Sequence, residues 1–389
     1  MEYMEKNPAS QAVLTTCEDY DPARVRAALQ RVIAQCGGFD WVRPGMRIGI
    51  KLNLCGAYRP EKAATTHPVM AAELTRLLTE KGAHVVLGDS PGEPFAAPVM
   101  NRVYNLCGLK LCEEAGGELN RDWSHHPADC PNGVTLHQFE LCSWLQGCDA
   151  IISFSKLKAH GLMGMTAAVK NIYGVIPGTV KSEYHFRYPE PLAFANIMVD
   201  LNEYLRPCLY LCDAVDGMEG NGPTQGTPRH LGLLLGGTNP YAIDRVCAEI
   251  TGIREEELLY LTAAKNRGLL APEDAKDCLA QAQPYKAQHF VRSGATSSWF
   301  AIDPDDKPVR RLMKKAIARF LRSRPQLGKG CVECGHCKSL CPAGAITIVK
   351  GKGAVIDRKK CVRCFCCQEF CPTGAMKVHR TFIARLLEK

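Results

Sequence analysis

The chain has 389 residues, of which 46% are hydrophobic, and this length and composition predict two or three folded domains and exclude a disordered chain. No run of 18 apolar residues occurs and the polar first residues form no apolar leader, so we expect no transmembrane segment and a cytoplasmic protein. The charge is uneven, because residues 307–389 hold 20 Lys and Arg against 4 Asp and Glu, whereas residues 1–306 hold 28 against 36. This shift predicts a domain boundary near residues 305–327.

Strand-like and helix-like patterns alternate over residues 1–305. Residues 47–54 are apolar at alternate positions, and Thr66-His67-Pro68 then opens an amphipathic helix that Gly82 ends. The later predicted strands are 84–90, 150–154, 209–213 and 231–235, and the later predicted helices are 191–205, 241–251 and 255–267. This order predicts an α/β domain with a mostly parallel sheet, in which ligands bind beyond the carboxyl ends of the strands.

The composition changes after about residue 303. We predict a basic linker helix over residues 306–327, because Lys and Arg residues from Lys307 to Arg324 surround an apolar stripe. It could pack on the acidic first domain, steer an acidic redox partner, or touch a membrane surface or nucleic acid. No recognised nucleic-acid fold is present, so no nucleic-acid binding is expected. Residues 381–389 form a short C-terminal tail.

Nine of the 21 cysteines lie between Cys331 and Cys371, in two runs that begin 30 residues apart. Each run reads Cys-x2-Cys-x2-Cys-x3-Cys-Pro, the spacing that bacterial ferredoxins use to bind [4Fe-4S] clusters. Three cysteines of one run are expected to hold one cluster, and the fourth to reach the other cluster. The predicted ligands are therefore Cys331, Cys334, Cys337 and Cys371 for cluster 1, and Cys341, Cys361, Cys364 and Cys367 for cluster 2.

Zinc is the alternative occupant, since paired Cys-x2-Cys units also bind zinc, but zinc requires neither the Cys-Pro endings nor the duplication. Residues 325–380 resemble the two-cluster bacterial ferredoxins, and we predict a small α+β ferredoxin-like domain over residues 328–380. The resemblance implies low-potential clusters close enough for electron hopping. Cys366, an extra cysteine inside the second run, is interpreted as a bystander thiol.

Polar motifs gather at the predicted strand ends of the first domain. If these ends converge, their lysines and histidines form a positively charged pocket that suits a carboxylate or phosphate and stabilises an anion formed by electron addition. A lone Lys, Asp or Asn at such a position also commonly serves a salt bridge or a turn. The candidate catalytic residues are Lys156, Lys158, His160 (a possible proton donor) and Lys170, and the candidate substrate-binding residues are Lys51, Asn53, His67, Asp89, Asn171 and Asn221.

At these motifs the chain resembles the domain-of-unknown-function 362 family, over about residues 45–255. The strongest matches are the Lys-x-Lys-x-His segment from Lys156, the Lys-Asn-x-x-Gly segment from Lys170 and the Gly-Asn-Gly-Pro-Thr segment from Gly220. Members often carry a ferredoxin module, so the resemblance implies this two-domain architecture. It supplies no reaction.

The leading hypothesis is an iron-sulfur oxidoreductase, in which two [4Fe-4S] clusters deliver electrons to a small anionic substrate or cofactor in the α/β domain. The alternatives are a ferredoxin-type carrier that uses its first domain for docking, and a redox-sensing binding protein. A redox partner protein is expected. No dinucleotide-binding or P-loop motif occurs, so neither NAD nor ATP is indicated, and a further cofactor such as a flavin is left open.

Overall fold

The computed structural model describes residues 11–293 and 323–379. Eight strands form the main sheet, in the order β1-β10-β9-β7-β2-β3-β4 with β8 beside β7. Strands β9, β7, β2, β3 and β4 run parallel, and β10 runs antiparallel to both β9 and β1. The strands are β1 Val13–Thr16, β2 Arg47–Lys51, β3 His84–Gly88, β4 Glu118–Leu119, β7 Ala150–His160, β8 Gly164–Thr166, β9 Leu209–Glu219 and β10 Thr227–Gly237, with a separate hairpin of β5 His125–Asp129 and β6 Gln138–Cys142. The predicted α/β fold with a mostly parallel sheet is confirmed.

Helices cover both faces of this sheet. They are α1 Pro22–Gln35, α2 Pro68–Thr79, α3 Ala97–Leu106, α4 Lys110–Glu114, α5 Ala168–Asn171, α6 Val180–Arg187, α7 Pro191–Leu205, α8 Pro240–Thr251, α9 Leu259–Asn266 and α10 Lys276–Ala282. Several begin with proline, and side chains cap three of them: Asp21 accepts from the first amides of α1, His67 from the Val69 amide of α2, and Asn239 from the first amides of α8. One face buries Leu29 and Leu74, the other Phe194 and Val246, and each such side chain contributes about 1.5–3 kcal/mol.

Two central strands run well past their predicted ends. Strand β7 continues to His160, so the Lys156–His160 segment lies in a strand and not in the expected loop. Strand β9 continues beside β7. Strand β8 pairs with the far end of β7, which places Lys158 opposite Thr166. The hydrogen bonds from β8 and β9 satisfy the backbone amides and carbonyls of this polar segment, which would otherwise bind water. Both strands therefore extend beyond the predicted carboxyl edge of the sheet. In the described part of the chain, no helix has the length and apolar character needed to span a bilayer.

The C-terminal module consists of two similar halves. Strand β11 Arg324–Leu327 pairs with β14 Met376–His379, and β12 Ile346–Val349 pairs with β13 Gly353–Ile356. The third cysteine of each run lies in a short helix, over His336–Ser339 and Cys366–Glu369. The predicted linker helix lies outside the described residues up to 322, and its last four positions form β11. The predicted tail also lies outside them.

Candidate functional site

Thiols from both cysteine runs lie near one another in the module, and the crossed ligand assignment stays a prediction. The pKa of the Cys337 thiol is raised by burial and then by the thiols of Cys371, Cys334 and Cys331. A cavity of about 330 Å³ in the other half has mostly apolar walls and is lined by the whole predicted cluster-2 set: Cys341, Cys361, Cys364 and Cys367. Four thiols around an apolar space fit a cubane with four thiolate ligands.

The second half of the module packs against the α/β domain. Gln368 Nε2 donates to Asn221 Oδ1 at 3.0 Å, and Gln225 Nε2 donates to the Cys371 carbonyl at 3.1 Å. The Phe370 ring lies directly over Gly92, where an added Cβ atom would overlap it. The Gly-Asn-Gly-Pro-Thr segment thus holds the ferredoxin-like module, and Asn221, predicted to bind substrate, lies in this interface.

A cavity of about 620 Å³ lies at the junction of the two domains. Its walls come from the carboxyl edge of the sheet, from α6 and from the second cysteine run, residues 361–371, which we call the cluster-2 loop. Cys366 lines both this junction pocket and the cluster-2 cavity, so it lies in the wall that the two spaces share. The residues that line the junction pocket are Asn53, Cys55, Asp89, Ser90, Pro91, Gly92, Lys170, Asn171, Tyr173, Gly174, Lys181, Ser182, His185, Leu340, Cys366, Glu369 and Phe370.

Lys170 is the available cation of the junction pocket. Its Nζ atom lies 5.0 Å from the centre of the Tyr173 ring, and no hydrogen bond or ion pair to another described residue engages it. Burial lowers the pKa of Lys170, and the nearby Glu369 carboxylate opposes that effect. Lys181 instead donates to the carbonyl oxygens of Pro91 and Ile176, and burial lowers its pKa to about 8. Lys170 is partly buried, and a partly buried lysine without an ion-pair partner among the described residues favours an anionic ligand.

The floor of the junction pocket is a buried polar network. Lys51 Nζ forms an ion pair with Asp89 Oδ1 at 2.7 Å and donates to Asn171 Oδ1 at 3.3 Å. Burial lowers the pKa of Lys51, and Asp89 opposes the shift. Asn53 Nδ2 also donates to Asn171, while the buried Asn53 Oδ1 has no hydrogen-bond partner among the described residues. Lys51 is therefore neutralised, and Asn53 offers an acceptor.

A second buried network holds Lys156. Its Nζ atom contacts Asp213 Oδ2 at 2.9 Å and the Tyr20 hydroxyl at 2.8 Å. The His67 ring stacks on Tyr20 with centroids 3.5 Å apart, and the His67 amide donates to Asp213. Burial lowers the pKa of His67 to about 4. Neither Lys156 nor His67 lines the junction pocket, so they secure the extended strands and the start of α2.

Lys158 and His160 lie behind the junction-pocket wall. Lys158 Nζ donates to the Ala64 carbonyl at 2.7 Å. His160 Nδ1 accepts from the amides of Leu162 and Met163, each at 3.1 Å, which leaves the ring proton on Nε2. That buried Nε2 atom makes no hydrogen bond within the described residues and lies 4.0 Å from Glu369 Oε2. Burial lowers the pKa of His160 well below its usual value, so the ring is neutral.

The acidic residues of the strand ends neutralise cations or bind backbone amides. Asp89 and Asp213 pair with lysines, Asp216 pairs with His230, and Asp244 accepts from the amides of Ala168 and Val169. Over residues 11–293 and 323–379, no three His, Cys, Asp or Glu side chains converge closely enough to hold a single metal ion. These four aspartates thus act as ion-pair partners or as acceptors for backbone amides.

Several pocket residues were not predicted. Lys181 and His185 lie four residues apart on α6, a spacing that placed both on one helix face and could have drawn attention to them. Cys366 and Glu369 stand where the first run has His336 and Ser339, so the departure from the repeat was a visible signal. Cys55, which receives a 3.5 Å contact from Lys158 Nζ, carried no such signal.

The family model for the domain of unknown function 362 (DUF362) matches residues 48–249, more than half of the chain. The chain belongs to the DUF362 family. A second model, for a 4Fe-4S dicluster domain, matches residues 326–372, so the C-terminal part is an iron-sulfur electron-carrier module. The predicted architecture, a DUF362 domain followed by a two-cluster ferredoxin module, is confirmed.

Similarity to individual proteins is more distant. This DUF362 protein is 27% identical over 263 residues to the thylakoid-associated protein sll1697 of Synechocystis sp., covering 66% of this chain and 79% of that protein. The apoprotein of lactate racemase from Thermoanaerobacterium thermosaccharolyticum matches with a TM-score of 0.41 and 12% identity, over 64% of this chain and 60% of that one. A Thermotoga maritima protein matches with a TM-score of 0.37 and 13% identity, over 88% of each chain.

Proposed function

We propose that this DUF362 protein is an oxidoreductase that passes electrons from two [4Fe-4S] clusters to a small anionic molecule bound in the junction pocket. The observation that carries the proposal is the position of Cys366, which lines both the cluster-2 cavity and the junction pocket. A ligand in that pocket would lie beside the loop that carries the cluster-2 ligands, and electrons move efficiently only over short distances. The clusters, when bound, would supply single electrons.

The α/β domain would bind and orient the acceptor. Lys170, which has no hydrogen bond or ion pair to another described residue, would pair with an anionic group, and Asn53 Oδ1 would accept a hydrogen bond. His160 carries its proton on Nε2, 4.0 Å from Glu369 Oε2, so its neutral ring would orient that carboxylate at the pocket. Lys51 and Lys156, already paired with aspartates, would fix the walls.

The test begins with anaerobic purification, a count of iron and sulfide, and mass spectrometry of co-purifying small molecules. About 8 iron atoms per chain are expected from the two motifs. The variant Lys170→Gln should lose a co-purified anion, or bind sulfate about tenfold more weakly, with unchanged iron content. Lys276→Gln, at an exposed lysine of α10, is the matched control. Equal anion binding by both variants would remove the support for the proposal.

A ferredoxin-type carrier is the second candidate. The favouring observation is that Asn221 and Gln225 use their side chains to hold the module, as expected of a docking domain. A carrier would exchange electrons with a partner protein and would bind no small molecule. This candidate would be favoured if a partner protein reoxidises the reduced protein and no small anion that enters the junction pocket does so.

A further inference from the structure

The two halves of the module differ in exposure. Cys334, a predicted ligand of cluster 1, is exposed, whereas its counterpart Cys364 is partly buried. Val332, next to that ligand loop, is 64% exposed, the largest fraction for any large apolar side chain in the described residues. Solvent therefore reaches the cluster-1 loop directly, while the α/β domain packs against the cluster-2 loop.

A basic turn lies beside this exposed loop. The Gly351 amide donates to Glu333 Oε1 at 2.7 Å, and a Cβ atom at Gly353 would lie 2.9 Å from Cys331 Sγ. The turn between β12 and β13 is thereby held against the cluster-1 ligands, and it exposes Lys350 and Lys352. We define the cluster-1 face as the exposed side chains of this region: Lys329, Val332, Cys334, Lys338, Val349, Lys350 and Lys352.

The cluster-1 face is positively charged. Residues 323–379 hold ten Lys and Arg against three Asp and Glu. Of those three acids, Glu369 faces the junction pocket and Glu333 accepts the hydrogen bond from Gly351. Eight thiolates and two cluster cores of charge 2+ would subtract about four charges, which still leaves the module positive. A small apolar centre with a cationic rim suits a brief, electrostatically steered encounter.

We propose that the cluster-1 face is the docking surface for a small acidic one-electron carrier protein, which makes cluster 1 the point of electron uptake. Residues 307–322 carry seven Lys and Arg and no Asp or Glu, so like charge disfavours this neighbouring segment as the occupant. In each event, the donor's reduced centre loses one electron and cluster 1 gains it. No bond breaks and no proton is needed. This proposal is independent of what binds in the junction pocket.

The test measures reduction of the full-length, cluster-loaded protein by a reduced acidic [2Fe-2S] ferredoxin in a stopped-flow instrument. The double variant Lys350→Glu and Lys352→Glu should lower the second-order rate constant about tenfold at low ionic strength, and this difference should shrink as salt is added. The control variant Lys110→Glu and Lys276→Glu changes the same number of charges on the α/β domain and should react like the wild type.

Two further measurements separate docking from damage. Dithionite, a small reductant that needs no docking surface, should reduce both variants at the wild-type rate, and iron content should stay unchanged. Sedimentation should show a monomer at the concentrations used. The proposal is overturned if the charge reversal leaves the ferredoxin rate unaffected, if dithionite reduction slows equally, or if the face is occupied by a second copy of this chain.

Discussion

Residues 331–341 and 361–371 contain the same four ligand positions, yet they have different surroundings. In the first half, Lys338 and Ser339 are exposed to solvent. At the equivalent positions in the second half, Gln368 is 1% exposed and bonds to Asn221, and Glu369 faces the junction pocket. Cysteine spacing therefore specifies that a cluster binds, whereas the residues between the cysteines specify what that cluster faces.

The largest expected effect concerns loss of iron. A chelator should extract iron from the wild type in two phases of about 4 atoms each, the faster from cluster 1 because Cys334 is exposed. Cys334→Ala should leave only the slow phase, and Cys364→Ala only the fast phase. Cys366→Ala changes a cysteine of the same loop outside the ligand set and should keep both phases. A single phase in the wild type would contradict the difference between the halves.

The next effect concerns the packing that shields cluster 2. Gly92→Ala places a methyl group where the Phe370 ring lies, so the module must shift away from the α/β domain. We expect the slow phase of iron extraction to become about tenfold faster and so to approach the fast phase. The added methyl group costs about 1–3 kcal/mol in the packed interface, and separation of the module from the α/β domain removes that cost. The double variant Gly92→Ala and Phe370→Leu, which gives the second half the leucine of the first, should restore slow extraction. Failure of that rescue would rule out the proposed clash.

A smaller effect concerns pH. Burial lowers the pKa of Lys181 from 10.5 to about 8, so this side chain loses its positive charge as the pH rises through 8. Sulfate binding in the junction pocket should therefore weaken several-fold between pH 7 and 9, since the charge of sulfate is constant over this range. Lys181→Arg keeps its charge and should flatten the profile. Calorimetric titration measures both, and equal profiles would assign the pH effect to another group.

The smallest effect concerns the carboxylate that the module contributes. Glu369 opposes the depression of the Lys170 pKa, and it would compete with a bound anion for that lysine. Glu369→Gln should therefore tighten sulfate binding by about threefold, a modest gain typical of a partly exposed charge. Glu333→Gln also removes one negative charge, but beside the cluster-1 face, and should leave sulfate affinity unchanged. Weaker sulfate binding in Glu369→Gln would show that the carboxylate supports the pocket instead.

Much of the fold could be predicted from local patterns. The strands beginning at Arg47, His84 and Ala150 and the helix Pro191–Leu205 are where the apolar periodicity indicated. The far end of β7 could not be predicted, because Lys156 and Lys158 are polar and are tolerated in a strand only through partners distant in sequence, Asp213 and the Ala64 carbonyl. Strand β1 and helix α1 also escaped prediction, although Asp21 and Pro22 carried a start signal.

The candidate site was predicted in part. Asn53, Asp89, Lys170 and Asn171 do line one pocket at the carboxyl edge of the sheet. Lys51, Lys156 and His67 belong to buried networks instead, because a sequence shows a charge but not the group that neutralises it. Asn221 lies in the domain interface, since its motif interacts with the module and not with the pocket.

By itself, the sequence determined the chemistry of the cysteine runs and the family of the first domain. Ligand spacing is a local property: a short loop places its thiolates at separations that the chain geometry sets. Only the tertiary structure decided which pocket lysine has no hydrogen bond or ion pair within the described residues, which half of the module faces solvent, and that Cys366 lines both the cluster-2 cavity and the junction pocket. Those properties depend on contacts between residues far apart in the chain, such as Gly92 and Phe370, which no local pattern encodes.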